Sequence, residues 1–153
     1  MRATQEDPTA APPTFVVHSL RQALAAAEAA AATERALDLI TPEGGLSCQG
    51  PLFWAEVQKR LGTTAAGEGV VLWVDAEDTP GLALAALRCG LGRLIFKGPE
   101  EVATKLEAIV TAAGGILLRA RPKAQDLLEE PDPASAVAAR LRPAPARRPP
   151  RQR

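Results

Sequence analysis

A few side chains carry whatever chemistry this chain can do: Lys97, Asp75 and His18, with Glu43, Asp78 and three glycines, Gly44, Gly45 and Gly98, beside them. Lys97 directly follows the apolar triplet Leu94-Ile-Phe96. A lysine at a strand end can form a Schiff base with a carbonyl substrate when its pKa is lowered. The plainer reading, and the favoured one, is an ion pair with Asp75. Asp75 closes the apolar run Val70-Val-Leu-Trp-Val, and Glu77 and Asp78 follow it. A carboxylate there can serve as a general base, bind a divalent cation through oxygen or accept a phosphoryl group. Against these stands helix capping by Asp78 or Thr79. His18 is the one histidine. Without a Cys/His cluster it makes no metal site, and as a proton carrier it needs a partner, which Asp75 or Glu43 would supply. The candidate catalytic set is therefore Lys97, Asp75 and His18. The candidate ligand-binding set is Glu43, Gly44, Gly45, Asp78 and Gly98. Backbone N–H groups of the glycine turns can meet an anion, although turn geometry alone also explains them. Neither G-x-G-x-x-G nor the P-loop pattern is present, Glu100 and Glu101 would repel a phosphate, and no metal or cofactor is expected.

These residues fall at the ends of a repeating pattern. Thr14-Phe-Val-Val-His-Ser19 reads as a strand ending at a cap. Ser19 and Gln22 have capping-box spacing and open an alanine-rich helix over about Leu20 to Arg35. Ala36 to Ile40 is a second short apolar run, and Thr41-Pro-Glu-Gly-Gly45 is a turn. Pro51 suits the first turn of a helix that carries Leu52, Phe53, Val57 and Leu61, with Gly62 as its cap. Val70 to Asp75 is apolar on both faces, as a central strand of a covered parallel sheet would be. A helix to Cys89, a strand Leu94–Phe96, a helix opened by Pro99 with the stripe Val102, Leu106, Ile109 and Val110, and a strand Ile116–Leu118 complete the series.

The strand starts lie 22, 34, 24 and 22 residues apart. That spacing predicts βαβαβαβαβ: an α/β fold with five mainly parallel strands and right-handed crossovers. Two architectures fit, a flavodoxin-like sandwich or half of a (β/α)8 barrel. The sandwich is preferred because an open barrel half exposes its inner apolar face unless it dimerises. In either, ligands bind beyond the C-terminal strand ends, where His18, Glu43, Asp75, Asp78 and Lys97 all fall.

Composition sets outer limits. Aromatic residues are 3% of the chain and hydrophobic residues 46%, so the core is aliphatic and rich in alanine. Residues 1–120 hold 10 basic and 14 acidic side chains, and residues 121–153 hold 8 and 4, so an acidic domain and a basic tail cancel to zero. The expected organisation is a flexible leader over 1–13, an α/β domain over 14–120 and a largely disordered Pro/Arg-rich tail over 121–153. Asp132 to Leu141 is good for a helical turn or two, and the six arginines from Arg140 onward can meet a weak anionic partner. No apolar stretch reaches the roughly 18 residues of a membrane span. Cys48 and Cys89 lack C-x-x-C spacing and nothing marks export. A cytoplasmic protein with reduced thiols is expected.

Residues Ala83 to Gly98, with the Cys-Gly-Leu-Gly link and Lys97 at a strand end, resemble a repeat unit of barrel aldolases, whose Schiff-base lysine ends a strand. Response-regulator receiver domains are similar in size and alternation, and Asp75 matches their phosphorylated aspartate. However, Val17-His18 stands where their acidic pair belongs, and no lysine directly follows Leu118. Residues 14–118 as a whole resemble small bacterial α/β proteins without an assigned activity. These readings imply a non-catalytic binding or interaction module, self-association included. The alternative is a small lyase-like enzyme acting on a small anionic metabolite at the strand ends.

Overall fold

The computed structural model describes residues 11–142. Strand β1 (Thr14–Val16) leads into helix α1 (Leu20–Thr33), and β2 (Leu37–Ile40) into the short α2 (Gly45–Gln49) and then α3 (Pro51–Gly62). Next come β3 (Val70–Asp75), α4 (Pro80–Arg88), β4 (Arg93–Ile95), α5 (Glu100–Ala112) and β5 (Ile116–Leu118). The chain ends its described course with β6 (Gln125–Asp126) and α6 (Pro133–Leu141). Ser19 caps α1 by accepting from the Gln22 N–H at 3.2 Å, while the Gln22 carboxamide accepts from the His18 N–H at 2.7 Å. The capping box thus reaches one residue further back than its usual form.

All strand pairs are parallel, in the order β5-β4-β3-β2-β1-β6. From β1 to β5 the strands follow chain order, so the winding is that of a barrel half and not the switched order of a flavodoxin-like sheet. Right-handed crossovers that always step the same way place every helix on one face. Side-chain alternation confirms this. Phe15, Leu37, Leu39, Leu72, Val74, Leu94 and Leu117 join Ala23, Ala27, Trp54, Leu61, Ala86, Leu106 and Val137 in one core. The intervening residues Val16, Ile40 and Ile95 form a separate, smaller cluster on the other face. Five buried alanines on α1 allow that helix a close approach to the sheet.

Five strands were expected and six are found. The sixth lies beyond residue 120, in the segment read as tail. It pairs with β1 at the opposite edge from β5. A two-residue strand has no periodicity to show, and only the tertiary partner defines it. Between β5 and β6 the chain has six residues, 119–124, in which to cross the sheet. It does so over the helix-free face, and Ala124 packs against Val16, Ile40 and Ile95. We call this segment the strap. It covers the inner face that a bare barrel half would expose. Past it, Leu127, Val137 and Leu141 are buried in the main core, so the fold runs to the end of α6. The leader before Ala11 and the tail after Arg142, where disorder and an anionic partner were expected, lie outside the described residues.

Two further differences are local. The Gly44-Gly45 turn opens α2, with Gly44 at φ 75° as its N-cap. On α5 the buried stripe is Ala103, Leu106 and Val110, while Ile109 stays half exposed. That helix is the last in the row and has α4 on one side only, which leaves its outer flank to solvent. Among the described residues, no helix is long and apolar enough to cross a membrane.

Candidate functional site

The C-terminal strand ends form a charged rim centred on Asp75. This residue ends β3, the third strand from either edge of the chain-ordered run, and is fully buried. A buried carboxylate must have its oxygens bonded to be tolerated. One oxygen accepts the Glu77 N–H at 2.8 Å, and the other accepts from Arg121 Nη1 at 2.8 Å, with Lys97 Nζ 3.6 Å away. The Asp75 N–H donates to the hydroxyl of Thr41, itself fully buried at the end of β2. Glu77 adopts φ 53°, a left-handed conformation that costs a residue with a β-carbon energy. Its N–H bond to Asp75 and the bond its carbonyl accepts from the Lys97 N–H hold it there.

Lys97 and Glu43 complete the cluster. Lys97 Nζ donates to Glu43 Oε1 at 3.0 Å. That hydrogen bond, with help from the Asp75 charge, raises the lysine above its ordinary pKa against the opposing effects of burial and Arg121. The same bond, together with the charges of Lys97 and Arg121, lowers the Glu43 carboxyl below the usual carboxylate range. Arg121 therefore acts on both Asp75 and Glu43 from the strap. The strap is also anchored where it leaves β5: Arg119 pairs with Glu100 and Glu107 of α5.

Of the residues singled out in the sequence, Asp75, Lys97 and Glu43 meet in this cluster. His18 does not. Its Nε2 lies 2.7 Å from Asp126 Oδ1, so its partner is neither Asp75 nor Glu43. The cause is β6, which docks beside β1 and puts Asp126 at that strand's end, while Asp75 lies two strands away. Asp78 is exposed at the loop tip, and Thr79 occupies the N-cap of α4 without a side-chain capping bond. Gly45 is buried, and its carbonyl accepts the Trp54 indole N–H at 3.1 Å. Gly98 gives room to Phe96: a β-carbon there would stand 2.3 Å from the ring. Gly44 sits beside Glu77, whose carboxylate faces it.

Arg121 is the member that sequence reasoning missed. Its signal was available, since Arg119-Ala-Arg121-Pro122 follows the last regular strand and so lies at the rim. A domain boundary after residue 120, drawn on proline and arginine content, leaves Arg121 in the tail. Among the described residues, no group of three or more His, Cys, Asp or Glu side chains is placed to hold a metal ion. Cys48 and Cys89 are both free thiols.

The fold and the rim together define a two-layer parallel α/β protein, wound in one direction and closed on its bare face by a strap that is tied to a buried aspartate. No family model matches the chain, and no curated protein matches it.

Proposed function

We propose that this protein is a non-catalytic binding module of the cytosol, and that the rim around Asp75 is its binding surface. The observation that carries the reading is the state of Lys97. A Schiff-base lysine needs a lowered pKa so that the free amine can attack a carbonyl. Here the Glu43 and Asp75 carboxylates hold the ammonium form, and the shift runs the other way. Asp75 is in no better position to act as a base, because both its oxygens already accept hydrogen bonds inside the protein. The candidate proton carrier, His18, is bonded elsewhere, to Asp126. In a lyase-like reaction Lys97 would be the nucleophile with Asp75 or His18 as proton carrier, and each of the three is engaged by another partner.

Borohydride trapping with a panel of small keto acids, read by mass spectrometry, tests this. No adduct at Lys97 is the expected result. A stoichiometric adduct there would replace the binding module with an enzyme.

A further inference from the structure

We infer that the rim is a receptor for the carboxylate of a small organic acid, and that Glu43 occupies this site in the free protein. The inference rests on the reading of the rim as a binding surface and adds a ligand class to it. Two cations, Lys97 and Arg121, converge on the single negative charge of Asp75. Asp75 is fully buried, and Arg121, with a side chain 19% exposed, is pinned to it from the strap. The pair neutralises itself and leaves Lys97 in excess. Glu43 supplies the missing charge, and its place in the cluster differs from the others. Its side chain is 65% exposed, and among the described residues its hydrogen-bond partner is Lys97. It lies in the field of Arg121 as well. Two further acids follow Asp75: Glu77 points toward Gly44 and Asp78 is exposed at the loop tip, and neither is among the charges that act on Glu43 or Lys97.

Remove the Glu43 carboxylate from its position and what remains is the Arg121–Asp75 pair with Lys97 beside it, one net positive charge at the C-terminal strand ends, the edge at which open parallel sheets take ligands. The group that fits the vacated position is a carboxylate, because a carboxylate already fills it. Exposed ion pairs are weak, so a carboxylate in solution can compete with Glu43 at low energetic cost. Removing Glu43 should then tighten binding by no more than about fivefold, the upper end of what an exposed pair contributes.

The test is an amide NMR titration of the full chain with sodium acetate and sodium pyruvate. A sodium chloride titration at matched ionic strength serves as background, and sodium phosphate as the competing anion. Saturable shifts at Gly44, Gly45 and Gly98 with acetate and pyruvate are expected, strengthened up to about fivefold in Glu43→Gln and lost in Lys97→Gln. Circular dichroism confirms that both variants are folded, since each side chain lies at the surface. Equal shifts with chloride, undiminished binding in Lys97→Gln or unchanged affinity in Glu43→Gln would overturn the inference. Tighter binding of phosphate than of acetate would overturn the carboxylate assignment. Treating the pyruvate sample with borohydride separates the two readings. An adduct at Lys97 removes the non-catalytic module, whereas absent binding without an adduct removes only the carboxylate receptor.

Discussion

The two faces of the sheet are covered by different means. On one, six helices supply an apolar layer of alanine, leucine and a single buried tryptophan. On the other, a strap of six residues lies over three aliphatic side chains and is held by an ion pair to Asp75. The helix face is held by area, since each fully buried Leu, Val or Phe adds about 1.5–3 kcal/mol. The strap face is held at a point. Substitutions should therefore act in a graded way across the first and in an all-or-nothing way at the second.

The harshest challenge to that contrast is to end the chain at residue 120. This removes residues 121–124 of the strap, Arg121 among them, and also Leu127, Val137 and Leu141 from the helix-side core. Three fully buried aliphatic side chains at about 1.5–3 kcal/mol each approach the whole margin of a domain, about 5–15 kcal/mol. The truncated chain should lose its cooperative urea transition, and a chain ending at residue 142 should keep it. Within the helix face, Trp54→Ala should cost about 3–5 kcal/mol, because the ring is fully buried and its N–H bonds to Gly45. A shift of the urea midpoint with unchanged slope is the expected signature.

Arg121→Ala tests the other face. It leaves Asp75 buried with its strongest partner gone, at a cost of about 3 kcal/mol. The accompanying Arg121→Ala/Asp75→Asn double variant should recover much of that loss, which separates the stranded charge from any general loosening. If the single variant costs nothing, the strap is not held at a point. Further down the same face, the Asp38 carboxyl has its pKa raised by burial, moderated by the Trp73 N–H and the nearby Arg93 charge. A raised carboxyl binds protons more readily in the folded state, so its charge works against folding at neutral pH and this cost falls as the solution is acidified. Asp38→Asn should accordingly raise stability at pH 7, by less than about 1 kcal/mol given its partial exposure.

The finest test uses Glu43 and Lys97. The lowered Glu43 carboxyl contributes stability that is present above its ordinary titration range and is lost as pH falls through its folded value. The raised Lys97 contributes below the ordinary lysine range and loses it as pH rises through its folded value. Unfolding midpoints of the native protein and Glu43→Gln should coincide in acid and separate slightly at neutral pH. Separation in acid would point to another partner for Glu43.

Much of this architecture is legible in the sequence because it is periodic. β3 is found as Val70–Asp75 and β5 as Ile116–Leu118, each a short apolar run bounded by turn residues. Alanine content and the Ser19 cap mark α1 with equal clarity. The rule that ligands bind at C-terminal strand ends puts Asp75, Lys97 and Glu43 on one edge from the sequence alone. What escaped is non-periodic. The strap has no repeat, β6 is two residues long, and Arg121, although it follows the last regular strand, shares its proline and arginine surroundings with the arginines after it. The partner of His18 escaped for the same reason, because Asp126 belongs to that unseen strand. Strand order also turned on the strap. A barrel half is unfavourable while its inner face has no cover, and the cover, Ala124 with the strap that carries it, lies mostly beyond residue 120.

The pairing of β1 with β6 has a consequence for synthesis. The chain lays down its sheet from β1 toward β5 and returns to the first edge only when residues 125 and 126 have been made. Until then the backbone of Phe15 and Val16 presents an open strand edge, the kind of surface that pairs with other chains. Contacts so far apart in sequence form late and slowly. The oldest strand is therefore the last to be sealed, and a chain that ends between residues 118 and 125 would have a sheet open at both edges.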